Sequence, residues 1–418
     1  MAVKAFALGK EMAVAYAFGA ASTLDSYLVA FAVPSFVLTI FATSFATALV
    51  PEIVTRRGDA DLADARDFAR QAIAFSIVGA FAATLILAVF GRPILAVVGY
   101  GFDAERLSLA FHAYLVLLPV CFFGTIGATL GAVANAWKHF ALPALAPAVT
   151  TAVMLVMIYF FATSWGVYAL AAGVSIGFAL EVAVLALFLA RAGLPWAPAW
   201  AGVSRRLRKV IGSTGHLAVG AALMGGATIV DQAMATSLSP GDVAILSYGT
   251  RLTAVIVTAL GALATVCLPY FSGLVAGGDW RALRQTLREL AGWIVLITTP
   301  IVVAVCAMSE WLIHAIFARG LFSSADAAAA AHVQTLFALH MPFYLLTIMG
   351  MRVLTALGRN LSIAAISLFF FAVNASANWL FMRWFGVAGI ALGTTAAFAF
   401  AACTIYLYLL WDEGPLPR

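Results

Sequence analysis

Charge is scarce in this 418-residue chain: Asp, Glu, Lys and Arg make up 10% of it, where about 25% is usual in soluble proteins. Hydrophobic residues make up 64%, and the mean hydropathy is +1.04. A soluble core could not hide so much apolar side chain, so the solvent is lipid. That excludes a cytosolic enzyme and a nucleic-acid module. The pI of about 9.1 reflects a net charge of only +5, which suits membrane orientation better than phosphate-backbone binding. Cysteine is also sparse. Cys121, Cys267, Cys306 and Cys403 lie far apart in apolar runs, which excludes a disulfide framework and a metal pattern and reads as small core residues. A Walker loop, a glycine-rich phosphate cradle, HExxH spacing and an ordered Ser/His/Asp set are all missing. The chain is therefore read as a non-enzyme with no cofactor and no use of ATP of its own.

What is present is a series of long apolar runs. A helix needs about 20 such residues to cross the hydrocarbon layer, whereas barrel strands are about 10 residues of alternating character. The pattern predicts an all-α polytopic membrane protein with twelve spans at 2–19, 23–51, 68–90, 107–134, 141–162, 166–191, 210–238, 243–271, 287–308, 327–356, 360–382 and 386–411. The first is the weakest by hydropathy, since it holds Lys4, Lys10 and Glu11. Glu11 and the direct run of Gly19-Ala20-Ala21 into another span argue against a cleaved leader.

With an even helix count, fifteen of the 23 Lys and Arg fall on one side and four (Arg92, Arg106, Arg319, Arg383) on the other, the rest lying in or at the ends of spans. The positive-inside rule then puts both termini in the cytosol. Trp165, Trp311, Trp384 and Trp411 sit near span ends as interfacial anchors do. Trp280, Leu283, Leu287 and Leu290 share a helical face, which predicts a cytosolic interfacial helix with Arg281, Arg284 and Arg288 pointing elsewhere. The stretch Arg56–Arg70 reads as a solvated loop helix.

The chain also repeats. Ala46-Thr47-Ala48-Leu49-Val50-Pro51 closes span two and Ala264-Thr265-Val266-Cys267-Leu268-Pro269 closes span eight, 218 residues later. Thr125-Ile126 and Thr347-Ile348 are 222 apart. Six spans per repeat give two lobes of like orientation, 1–203 and 204–418, related by a pseudo-two-fold along the membrane normal. The basic stretch Pro195–Lys209 links them. This is a transporter layout, with alternating access between lobes.

Few charges remain at membrane depth: Lys4, Lys10, Glu11, Asp25, Glu181, Asp231, Arg251 and Arg352. Such charges are costly and usually face a cavity or a partner. Arg251 has no acid within four residues on its helix. It either binds an oxyanion such as phosphate with its planar fork, or pairs with Asp25 or Asp231 to hold helices. Lys4 and Lys10 either join it in a cavity or keep the N-terminus cytosolic. Asp25 either caps span two or faces the cavity. Asp231, Asn374, Asn378 and Thr394, with Thr395 beside it, supply only oxygens for a hard cation, or else hydrogen-bond between helices. Glu181 is a proton carrier or a cavity-facing acid.

Lys10-Glu11, Phe18-Gly19-Ala20, Asp25 to Phe31, Pro34 and Val50-Pro51 come first in a larger pattern. It continues with Val230-Asp231, Ser239-Pro240-Gly241, Tyr248, Arg251-Leu252, Ala264-Thr265 to Leu268-Pro269, Arg352-Val353-Leu354 and Ala356-Leu357-Gly358. Over nearly the whole chain this resembles the MurJ (MviN) family of lipid II flippases, within the superfamily of multidrug, oligosaccharidyl-lipid and polysaccharide exporters. The resemblance implies two six-helix lobes around a cationic cavity. It implies movement of an undecaprenyl-diphosphate-linked saccharide across the bilayer, with envelope-synthesis proteins as candidate partners. Arg251, Lys10, Lys4, Glu11, Asp25 and Arg352 become the substrate-binding set, and Asp231, Asn374, Asn378 and Thr394 a sodium site, with Na⁺ or H⁺ as coupling ion. The chain departs from the family pattern at Leu38-Thr39, where a basic residue is usual, at Thr43-Ser44 and at Thr250. It stops after twelve helices where relatives commonly have two more, and Met1 falls inside the family's first helix. These departures keep two alternatives open, an exopolysaccharide or O-antigen-type repeat-unit flippase and a cation-coupled drug exporter.

Overall fold

The computed structural model describes residues 2–58, 62–200 and 202–410. Within them the chain is helical, without strands. The helices are α1 (Ala2–Phe18), α2 (Ser22–Val37), α3 (Thr43–Gly58), α4 (Leu62–Val98), α5 (Ala104–Ala136), α6 (Ala141–Leu145), α7 (Pro147–Trp165) and α8 (Val167–Arg191). They continue as α9 (Arg205–Ala235), α10 (Asp242–Ala276), α11 (Trp280–Phe317), α12 (Ser324–Ala338), α13 (Met341–Ala356), α14 (Asn360–Phe385) and α15 (Val387–Leu410). A π-helical turn, Leu38–Ala42, joins α2 to α3, four residues after Pro34 removes a backbone donor from the ladder.

Among the described residues ten helices are long and apolar enough to cross a membrane, or eleven when α12 and α13 count as one bent span. The expected first span is the one that falls short. α1 forms, but its 17 residues reach only about 26 Å, and Gly19 ends it in the left-handed region at φ 58°. Span ten is a correction of another kind: it is not one straight helix. α12 and α13 meet at 41°, because Pro342 in the first turn of α13 cannot continue the ladder of α12. The Arg56–Arg70 stretch is no separate loop helix; its described parts extend α3 and α4.

The Trp280 helix runs without a break into span nine as α11, 38 residues long. Its apolar face does not lie on the membrane surface: Leu283 and Leu287 are buried in the second unit's core, and Arg284 is buried too, at 7% exposed. Its Nε donates to the Leu409 carbonyl at 3.3 Å, a cation placed at the C-terminal end of α15 where the helix dipole favours it. Trp165, Trp311 and Trp384 are exposed near helix ends, and Trp411 lies outside the described residues. The cysteines are free; Cys121 is buried, whereas Cys403 lies on the outer surface.

The chain divides into two compact units, Met1–Gly225 and Gly226–Arg418. The division falls inside α9 and not in the preceding basic link at 203/204. Leu207 and Val210 are buried in the first unit's core with Leu49, Ile53, Leu130 and Leu185. Gln71 donates to the Gly202 carbonyl at 2.6 Å and accepts from Ser204 at 2.8 Å. Arg206 pairs with Asp64 at 2.6 Å and Lys209 with Glu52 at 2.5 Å. The opening of α9 is thereby held by the first unit. The second unit has its own core, around Phe271, Leu283, Leu287, Val353 and Ile405.

The internal repeat is also written in the backbone, at a constant offset of 220. Gly166 (φ 52°, ψ −135°) and Gly386 (φ 56°, ψ −137°) occupy the same rare conformation, before α8 and before α15, one that favours glycine. Lys138 (φ 65°) is matched by Gly358 (φ 70°). The Ser175 hydroxyl donates to the Val116 carbonyl in the first unit, and Thr395 donates to Leu336 in the second. Asp103 caps α5 and Ser323 caps α12.

Candidate functional site

In the first unit, Lys10 and Glu11 are half-buried and form an ion pair of 2.8 Å. Adjacent residues on a helix do not face each other well, so the pair forms because each long side chain can swing toward the other. The side chain of Lys4 lies outside the described residues. Asp25 is 1% exposed and lies in the opening of α2. Ala21 is the N-cap of α2, without a side-chain cap bond, and Asp25 sits one turn inside, its N–H on the Ala21 carbonyl. A carboxyl buried at membrane depth is costly unless it is hydrogen-bonded or paired. Glu181 on α8 accepts a hydrogen bond from Thr150 of α7 at 2.8 Å. That contact, between residues 31 apart, left no trace in either helix pattern except Gly177 one turn before. A Cβ there would meet the Thr150 Cα at 2.7 Å, so the glycine lets α7 and α8 close.

In the second unit four of the expected residues come together. Asp231 of α9 accepts from Asn378 Nδ2 at 2.6 Å and from the Thr394 hydroxyl at 3.3 Å. Asn374 Nδ2 reaches Thr394 Oγ1 at 3.4 Å, and Asn374 Oδ1 accepts from Asn378 at 3.4 Å. Asn374 and Asn378 are both fully buried. Asn378 Oδ1 is buried without a hydrogen-bond partner, an uncommon and costly state. In this arrangement the donors point at the carboxylate. Turning the Asn378 amide would exchange Nδ2 for Oδ1 beside Asp231, leaving a set of oxygens. The residues fit a hard monovalent cation on that ground. They are not a multi-carboxylate metal cluster, and no group of three His, Cys, Asp or Glu is found among the described residues.

Gly393 makes the cluster possible, since a Cβ at this position would lie 2.0 Å from Asn378 Oδ1 and 2.7 Å from the Asn378 backbone nitrogen. Gly393→Ala is therefore expected to destabilise the protein by about 1–3 kcal/mol through overpacking, read as a lowered unfolding temperature of the purified protein in detergent.

Arg251 lies on α10, nine residues past its first, about 14 Å along the axis. Tyr248, Gly249 and Thr253 face the packed side of that helix, and at Gly249 a Cβ would strike Val333 at 2.6 Å. Arg251 instead shares the exposed side with Ala254, Val255 and Thr258. A guanidinium at membrane depth is costly and is kept only where it is paired or solvated. Arg352 of α13 is half-buried, and its Nε is buried without a hydrogen-bond partner, a donor left over for an acceptor.

A model of the family described as "Lipid II flippase MurJ" matches residues 14–412. The chain is 23% identical over 416 residues to a "Probable lipid II flippase MurJ" of Buchnera aphidicola, covering 98% of this chain and 81% of that one. It is 26% identical over 434 residues to the protein of the same description from Synechocystis, covering 97% and 78%. Among solved structures it resembles "Lipid II flippase MurJ, inward closed conformation" with TM-score 0.80 at 20% identity, over 98% of this chain and 86% of that one. It also resembles an inward-facing MATE family transporter of the MOP superfamily with TM-score 0.84 at 13% identity, over 97% and 93%. At these identities the structures speak for the fold, a polytopic membrane fold of the MurJ and MATE kind. The match across residues 14–412 is what assigns the family: this chain belongs to the MurJ lipid II flippases.

Proposed function

We propose that this protein moves a polyprenyl-diphosphate-linked saccharide, lipid II or a close relative, from the inner to the outer leaflet of the bacterial cytoplasmic membrane by alternating access. The observation that carries the reading is Arg251, a guanidinium exposed at the depth of a membrane span. A diphosphate linked to a lipid tail travels at that depth, and the planar fork of arginine meets two of its oxygens at once. Arg352, Lys10 and Lys4 add positive charge, while Glu11 and Asp25 supply acids that hold or position it. No bond is made or broken, so these residues bind and release and do not catalyse. The loop charges orient the chain with both termini in the cytosol.

Coupling is assigned to the second unit. Asp231, Asn374, Asn378 and Thr394 would hold Na⁺, supplying a neutralised carboxylate at membrane depth. Complementation tests the whole reading. Expression in a strain depleted of its lipid II flippase is expected to restore growth. Failure there, with rescue of an exopolysaccharide repeat-unit flippase mutant, would move the substrate to the other lipid-linked saccharide class.

A further inference from the structure

The first unit contains a cavity of about 470 Å³ that the reading above does not use. Its wall includes the π-helical turn at Leu38 and Thr39, and the cavity continues along Thr43 and Thr47 to Asn135 of α5. Phe178 and Glu181 of α8 also line it. They are three apart and so share a helical face. Among the described residues, Glu181 is the single charged one lining it. Among the described residues no ion pair to it is found; its hydrogen bond is from the neutral Thr150 hydroxyl.

A carboxylate at membrane depth without a cation is expensive. The space beside it is of ligand size, in the range of about 300–1,000 Å³ usual for small-molecule pockets. It is much larger than a bare ion needs, since one water takes about 30 Å³. An acid, an aromatic ring and several hydroxyl and amide groups make the lining chemistry that recognises an ammonium group on a polar body, through charge and ring quadrupole together. The π-turn in the wall is a feature frequent at functional sites. Here its Leu38 packs so close to α5 that a Cβ at Gly124 would lie 2.7 Å from the Leu38 side chain.

We infer that this cavity is a binding site for an organic ammonium group, with Glu181 as counter-ion and Phe178 as its aromatic wall. Two sources carry that chemistry. One is an amine on the saccharide head group of the transported lipid, which rests on the flippase reading; the other is a free amphiphilic amine, which does not.

The test uses the purified full chain and measures binding by native mass spectrometry. The probes are glucosamine disaccharide against its fully N-acetylated twin, and benzylamine against N-acetylbenzylamine. In the wild type at least one ammonium form is expected to bind roughly tenfold tighter than its acetylated twin. Preference within the sugar pair assigns the site to the head group, and preference within the benzylamine pair assigns it to free amines. Glu181→Gln keeps an acceptor for Thr150 and should erase the preference. Ala128→Leu, which fills the cavity wall and leaves the carboxylate in place, should weaken both ammonium forms and serves if Glu181→Gln does not fold. Equal binding of the twins by the wild type overturns the site, as does a preference that survives both variants. Polyprenyl diphosphate binding should not change in Glu181→Gln. Loss of that binding in Arg251→Ala is a separate result, so the two readings fail separately.

Discussion

Arg251→Ala is expected to reduce outer-leaflet exposure of the lipid-linked saccharide by about two orders of magnitude while leaving the protein folded. Truncating one partner of a charge-assisted, partly desolvated pair typically costs about 2–5 kcal/mol, and each 1.4 kcal/mol is roughly tenfold. The stability effect should be small, within about 0.5 kcal/mol, as for other exposed substitutions, because Arg251 lies on the open side of α10, away from Tyr248, Gly249 and Thr253. Arg251→Lys discriminates further. A lysine keeps the charge and loses the bidentate fork, so it should recover part of the transport and none of the geometric preference for a diphosphate over a monophosphate lipid. The measurement is outer-leaflet accessibility of the substrate in cells or vesicles, normalised to the amount of folded protein. Full transport by Arg251→Ala would remove the diphosphate role.

Asp231→Asn is expected to abolish the response to sodium. A ligand that binds only the folded state stabilises it by about 2.7 kcal/mol at a hundredfold excess over its Kd. The unfolding temperature of the wild type should therefore rise with Na⁺ at constant ionic strength, and that of the variant should stay level. The substitution is nearly isosteric and leaves an oxygen to accept from Asn378 Nδ2, now 2.6 Å from Asp231 Oδ1. Loss of the response would thus report the missing charge and not a collapsed cluster. Transport by the variant should no longer depend on the sodium gradient. A sodium response shared by both proteins would make the cluster structural, and a wild type that responds to acid pH but not to Na⁺ would name the proton as coupling ion.

Eleven of the twelve expected spans were readable from apolar run length, the first falling short, and the helix order stands: α2–α3, α6–α7 and α12–α13 each fill one expected span. Run length is legible because lipid forces every backbone group to be satisfied within the segment. The bend between α12 and α13 was harder to see, since its 41° arises where Pro342 interrupts an otherwise continuous apolar run. The buried Arg284 was missed for a different reason. Helical periodicity placed it off the apolar face, but its partner, the Leu409 carbonyl, is 125 residues away.

The candidate site divides in the same way. Asn374 and Asn378 are four apart, and their shared face was plain from spacing. That Asp231 and Thr394 meet them depends on α9, α14 and α15 closing together, with Gly393 allowing an approach no side chain would permit. The pairing of Thr150 with Glu181 and the cavity behind the π-turn likewise belong to packing between distant segments. Apolar length, charge scarcity and an offset near 220 residues thus defined membrane class, helix order and repeat, because each is a property of a chain segment in its solvent. Which polar atoms touch, where the first unit ends within α9, and which guanidinium stays exposed emerged from the folded units, because those outcomes depend on contacts between segments that no local pattern encodes.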